Sequence, residues 1–209
     1  MTTVVLIHGG ESTGAKLRQA LPGADVVVVY QPGLSGAYDE KTGLASQFPT
    51  LGALLAHYAP GWSRGEPLVL LGFSAGSWAL RHYLRDPSAR DAISAAIFLD
   101  GLYGHTGSQC NLGPYDGVIA YGKEANAKPS RKRLVMTYSQ AHPGPGVCSN
   151  AIAKVVGAGP GVFVRGYPGG DHGGQQNTVG PAVVSELIAP WIGSGASFAR
   201  IGGVLLAGL

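Results

Sequence analysis

The sequence predicts an α/β fold: a three-layer, doubly wound, mostly parallel sheet of about six strands flanked by helices. Three observations point to it. Six near-continuous runs of Val, Ile and Leu recur along the chain, the pattern of strands buried on both faces. Helix-like segments separate most of these runs, which implies βαβ units. The 209 residues, 45% hydrophobic and 13% charged, suffice for one domain with a substantial core. No linker or repeat divides them, so residues 1–209 are read as a single domain.

The elements follow in order. "VVLI" at 4–7 is the first strand and "TGAKLRQAL" at 13–21 the first helix. "DVVVVY" at 25–30 is the second strand. A long loop, 31–48, leads to the helix "FPTLGALLAHYA" at 48–59. "PLVLLGF" at 67–73 is the third strand, and it runs directly into "AGSWALRHYLRD" at 75–86, a helix that Pro87 stops. "AISAAIFLD" at 92–100 is the fourth strand, and a second long loop, 101–130, follows it. "RLVMTYS" at 133–139 and "GVFVRGY" at 161–167 are the last strands, with the helix "NAIAKVVGA" at 150–158 between them. "VGPAVVSELIAPWI" at 179–192 closes the domain. The segment 101–131 is read as a small cap, and 194–209 as an apolar tail that packs on the domain or on a second copy. Long ordered loops in a compact domain usually carry function. Both of these leave the carboxyl ends of strands, where such sheets bind ligands.

Composition excludes several classes. A net charge of +3 is too mild for a dedicated nucleic-acid binder, and the one basic run, Arg131 to Arg133, reads as solvated. No stretch offers ~20 uninterrupted apolar residues, so no stable membrane insertion is expected. No signal peptide is seen, which makes the cytoplasm the default compartment. Cys110 and Cys148 form no metal or redox motif. They are either free thiols or one disulfide, which would suit a secreted protein, and their spacing leaves both open.

"GFSAG" at 72–76 matches a glycine–x–serine–x–glycine pattern, but so does "GESTG" at 10–14. With 34 glycines and 15 serines, roughly 0.4 matches arise by chance, so context must choose. Ser74 follows a strand and opens a helix, the strand–turn–helix setting of an activated serine. Ser12 stands differently: Ser12 or Thr13 reads as the N-cap of the first helix. A serine hydroxyl needs a base, and the base needs an orienting acid. His172, in the glycine-rich "GGDHGG" after the last strand, is the candidate base. His8, His105 and His142 also follow strands, whereas His57 and His82 fall inside helices. Residues 134–170 hold no carboxylate, and Asp171 adjoins the base itself. Asp100, at the carboxyl end of the fourth strand, is therefore the candidate acid, ahead of Asp116 and Asp39. An oxyanion hole needs two N–H donors. Ala75 supplies one, and Gly10 of "HGG" the other, with Gly9 as its substitute. Tyr38, Phe73, Leu102 and Tyr103 are candidates to line an apolar substrate pocket. Trp78 reads as helix packing.

These segments together resemble the α/β-hydrolase superfamily. "LIHGG" looks like its oxyanion loop, "GFSAG" like its nucleophile elbow and "GGDHGG" like its histidine loop, over nearly the whole chain. The order Ser74, Asp100, His172 is the superfamily's order. One departure stands out: the acid follows an earlier strand than usual, a known variant. The resemblance implies an α/β-hydrolase fold in a minimal member, similar to cutinases and small lipases. It implies a serine hydrolase acting on a small or lipid-like carboxylic ester, with no metal or cofactor. The same residues would serve an amidase, peptidase or acyltransferase. The fold would also serve a non-catalytic binding module.

Overall fold

A computed structural model of the protein describes residues 1–8, 10–29, 43–106, 108–139, 143–167 and 172–193. Among them are β1 (Thr3–Ile7), β2 (Asp25–Val29), β3 (Leu68–Phe73) and β4 (Ala95–Leu99). A short hairpin of β5 (His105–Thr106) and β6 (Gln109–Cys110) follows, then β7 (Arg133–Ser139) and β8 (Val162–Tyr167). Six of these form one sheet in the order β2-β1-β3-β4-β7-β8, every pair parallel. The chain steps from β1 outward to β2, then crosses back to lay β3 on the other side of β1. That reversal makes the carboxyl ends of β1 and β3 the switch point where such sheets open a crevice.

Helices cover both faces, and alternate residues of each strand feed two cores. Val5, Ile7, Leu70, Phe98 and Met136 pack on one side with α3 (Leu51–Tyr58), α4 (Gly76–Tyr83), α6 (Asp116–Ala127) and α7 (Pro143–Val156). Val4, Leu6, Val69, Leu71 and Ile97 pack on the other with α1 (Glu11–Ala20) and α8, a helical run over 172–193. Burial on both sides removes the selection for polar residues at alternate positions. This is why the strands read as unbroken apolar runs.

The helices depart from expectation in instructive ways. The N-cap of α1 is Gly10, in extended backbone and without a side-chain cap, rather than Ser12 or Thr13. Thr13 is buried and its hydroxyl instead donates to Asn177 Oδ1 at 2.7 Å, tying α1 to α8. Asp86 does not end the helical region. It caps a new short helix, α5 (Pro87–Ala92), accepting from Ser88 N, with Pro87 at the first helical position. The segment 101–131, expected as a small cap, holds the β5–β6 hairpin and then the crossover helix α6. Its Val118, Tyr121 and Ala125 lie in the core. Gly117 and Gly122 hide this helix from a propensity reading. Both are required by packing: a Cβ on Gly117 would run into the Leu84 backbone, and one on Gly122 into Val156 and Leu134. α7 begins seven residues earlier than expected, and α8 begins at His172 with alternating α and π turns. A four-residue helix, α2 (Leu44–Gln47), precedes α3.

Cys110 and Cys148 are bridged, joining the β5–β6 hairpin to α7. A disulfide is compatible with an oxidising compartment. Among the described residues, no helix is long and apolar enough to cross a membrane. The tail 194–209 lies outside the described residues.

Candidate active site

Among the described residues, three non-glycine residues adopt the left-handed region, and all three follow the carboxyl ends of sheet strands: His8 (φ 64°) after β1, Ser74 (φ 49°) after β3 and Asp100 (φ 48°) after β4. Such backbone is sparsely populated by residues with side chains and clusters at functional sites. Hydrogen bonds extend the sheet one step to hold all three, His8 N donating to Val29 O at 3.0 Å. Ser74 N donates to Leu99 O and Asp100 N to Thr137 O, each at 3.0 Å.

The turn at Ser74 is built by its flanking glycines. A Cβ on Gly72 would lie 2.9 Å from Ser77 Cα, and one on Gly76 only 2.7 Å from the Ile7 carbonyl carbon and 2.8 Å from His8 Cβ. Only glycine lets the start of α4 press against both its own strand and β1. Ser77 Oγ closes the turn by donating to Gly72 O at 2.9 Å. Ser74 is thereby left partly exposed at the head of α4, where a helix amino terminus favours negative charge.

Asp100 is fully buried. A buried carboxylate must have its lone pairs occupied, and here they are. Oδ1 accepts from Ser139 N at 2.9 Å, while Oδ2 accepts from Ser139 Oγ at 3.1 Å. Oδ2 also meets His172 Nδ1 at 2.7 Å. A carboxylate only accepts, so Nδ1 carries the hydrogen and the lone pair of the neutral ring sits on Nε2. The His172 side chain is 34% exposed, so its ring reaches from the buried acid toward the crevice.

Around this pair the rings stack. Phe73, next to Ser74, lies 4.7 Å from His172 and 5.8 Å from His8, nearly parallel to the latter. Burial, and then the charge of His172, hold the His8 imidazole below its ordinary 6.5. Below 6.5 the unfolded chain therefore binds the proton that folded His8 resists, and stability falls as pH drops through that window. His8→Asn tolerates the positive φ and removes this titration. Its melting temperature should drop less than that of wild type between about pH 8 and about pH 5; equal drops would refute the assignment.

The candidate residues thus divide. Asp100 and His172 are hydrogen-bonded, and Phe73 brings Ser74 beside them. Gly10 and Ala75 head α1 and α4 beside the adjacent strands β1 and β3. A Cβ on Gly10 would be accommodated, in ordinary contact with Ser12 Oγ at 3.7 Å and Gln176 Nε2 at 3.8 Å. Leu102 is corrected. It is 1% exposed and belongs to the core under α4 and α6, so it does not line a pocket. Tyr103 is half-buried and its ring meets His172 edge-on, with centroids 6.5 Å apart. Tyr38, Gly9, Asp39, His142 and Asp171 lie outside the described residues. Asp116 is exposed at the head of α6, and Ser12 is exposed in the first turn of α1. His57 and His82 pack around the segment before α3, against Phe48 and Pro49 O. Sequence reasoning missed Ser139 and Thr137. Their one signal is polar alternation in an otherwise apolar strand, "RLVMTYS". Thr137 Oγ1 donates to the buried Gln175 Oε1 at 3.0 Å, anchoring the first turns of α8 behind His172. Among the described residues, no three His, Cys, Asp or Glu are placed to hold a metal ion.

No protein-family model and no curated protein matches the sequence. Solved structures do resemble the fold. They include a bromoperoxidase from Bacillus anthracis, 15% identical, with 91% of each chain covered and a TM-score of 0.56. An IroE-like serine hydrolase from Shewanella oneidensis is 18% identical over 87% of this chain and 67% of its own, with a TM-score of 0.56. A lipase-esterase related protein from Clostridium acetobutylicum is 12% identical over 91% of this chain and 94% of its own, with a TM-score of 0.53. At such identities the likeness is one of architecture, and with the parallel six-stranded sheet it establishes that the chain has the α/β-hydrolase fold.

Proposed function

We propose that the protein is a serine hydrolase that cleaves carboxylic esters through an acyl-enzyme. The observation that carries this reading is the buried Asp100–His172 hydrogen bond beside a serine held in a left-handed strand–helix turn. The descriptions of two neighbours, a serine hydrolase and a lipase-esterase related protein, agree with it.

In this reading His172 Nε2 takes the Ser74 proton as Oγ attacks the ester carbonyl. The backbone N–H groups of Gly10 and Ala75 hold the oxyanion. Collapse expels the alcohol, which takes its proton from His172. Water then attacks the acyl-enzyme, again giving its proton to His172, and Ser74 Oγ takes that proton back as it leaves, releasing the acid. Asp100 holds the Nδ1–H tautomer and balances the imidazolium in both halves.

A fluorophosphonate probe tests the nucleophile. The expected result is one adduct, on Ser74. Ser74→Ala should take no label and lose about 10³-fold or more of p-nitrophenyl ester turnover. An unlabelled wild type, or an alanine variant that retains its turnover, ends this reading. A matched p-nitroanilide run beside the ester separates esterase from amidase.

A further inference from the structure

Ser139 grips the buried Asp100 carboxylate with two donors from one residue. Its N–H meets Oδ1 at 2.9 Å and its hydroxyl meets Oδ2 at 3.1 Å. Oδ2 is also the oxygen that holds His172 Nδ1, at 2.7 Å. The backbone bond fixes one end of the carboxylate. The hydroxyl acts on the other end, the one that touches the base.

Hydrogen counting sets the directions. A carboxylate only accepts, so Ser139 Oγ and His172 Nδ1 both give their hydrogens to Oδ2. Ser139 and Asp100 are fully buried, so water does not compete for either. Each donor withdraws negative charge from the oxygen that the other one meets, and hydrogen bonds to a charged group are the strong ones. The consequence falls unequally on the two forms of His172. A neutral imidazole needs Oδ2 only as an acceptor, whereas an imidazolium is stabilised by its full charge. A second donor on Oδ2 therefore disfavours the imidazolium more than the neutral ring. The neutral ring is the form that can take a proton from Ser74.

Strand register builds this arrangement. β4 and β7 pair Leu99 with Thr137, and Asp100 N continues the ladder onto Thr137 O. Ser139, the last residue of β7, so arrives beside the Asp100 carboxylate. Thr137 lies on the same face two residues earlier. Its hydroxyl holds Gln175 Oε1 at 3.0 Å, three residues past His172. β7 thus restrains the acid with one hydroxyl and the helix carrying the base with another.

We propose that Ser139 is a positioning residue for the acid–base pair: its hydroxyl occupies one lone pair of Asp100 Oδ2, leaves the other for His172 Nδ1–H, and draws charge from that oxygen so that the base stays neutral at lower pH. The proposal rests on the reading of Ser74, Asp100 and His172 as a hydrolase's triad. Among the described residues, the other titratable groups facing His172 are His8, across the Phe73 ring, and Tyr103, edge-on with centroids 6.5 Å apart. Both remain in place when Ser139 is substituted, so a difference between variants reports the hydroxyl.

The test follows fluorophosphonate labelling and kcat/KM on p-nitrophenyl acetate against pH for wild type, Ser139→Ala and Ser139→Cys, with melting temperature measured alongside. Ser139→Ala keeps the backbone donor to Oδ1 and removes the hydroxyl. The expected result is a pH midpoint raised by about 0.5–1 pH unit in both profiles, a roughly 3- to 10-fold tighter hold on the proton. Ser139→Cys keeps the volume with a weaker donor. Its midpoint should lie between those of wild type and the alanine variant, and it carries the test if the alanine variant does not fold. A side chain that serves packing alone would lower the melting temperature and the plateau rates and leave the midpoint where it was. A folded, active variant whose midpoint equals that of wild type, or lies below it, overturns the proposal. A wild type that takes no label overturns the triad reading as well, a result distinct from an unshifted midpoint in an enzyme that labels.

Discussion

Asp100→Asn is expected to lower ester turnover by about 10⁴-fold, the loss associated with this change in serine triads, while the protein stays folded. The substitution is nearly isosteric, and asparagine tolerates the φ of 48° that Asp100 adopts. Its carbonyl oxygen can still accept from Ser139 N, where Oδ1 now accepts at 2.9 Å. The amide nitrogen then faces His172 Nδ1 in place of the oxygen now 2.7 Å away. An amide NH₂ only donates, so Nδ1 must become the acceptor and the ring hydrogen moves to Nε2. That tautomer has no lone pair for the Ser74 proton. It also loses the negative charge that balances the imidazolium. Asp116→Asn is the control. Asp116 is exposed at the head of α6, so its variant should match wild type. Turnover by Asp100→Asn within tenfold of wild type, at an unchanged melting temperature, would remove Asp100 from the triad.

What the sequence discloses and what it hides follow from the range of the forces involved. Burial on both faces writes itself into composition. The run at 133–139 is therefore β7 residue for residue, and the other five strands of the main sheet differ by a few residues at most, whereas β5 and β6 fall in a segment read as loop. The candidates Ser74 and Asp100 are legible because each is a reactive residue directly past a strand end, and His172 because it is the histidine that follows the last strand. Ser139 is not. Its hold on Asp100 depends on the register that pairs Leu99 with Thr137 and brings the end of β7 beside the end of β4. Leu102 misleads for a related reason. An apolar residue in a site loop can face the crevice or the core, and Leu102 is buried in the core. Helix α6 stays hidden because its glycines answer to distant neighbours, Leu84 and Val156, rather than to helix propensity. The Cys110–Cys148 pairing is hidden too, since 38 residues of separation say nothing about proximity.

Removing that bridge should have the largest effect on stability among the surface features of the site. Closing a 38-residue loop restricts the unfolded chain by about 3–4 kcal/mol in the chain-entropy account. Domains of this size shift by roughly 2–4 °C per kcal/mol, so the melting temperature should fall by about 6–16 °C. The variant must avoid a second penalty. Cys148 is fully buried, and a serine there would bury a hydroxyl, so Cys148→Ala combined with Cys110→Ser is the cleaner test. A thiol reductant should bring wild type down to the variant's melting temperature and leave the variant unmoved. That second arm matters because it separates the bridge from the packing of the two side chains. Side-chain loss would lower the variant and spare reduced wild type. Stability that survives reduction would mean that the strand pairing of β5 and β6 and the burial of Leu102 hold the segment without help from the disulfide.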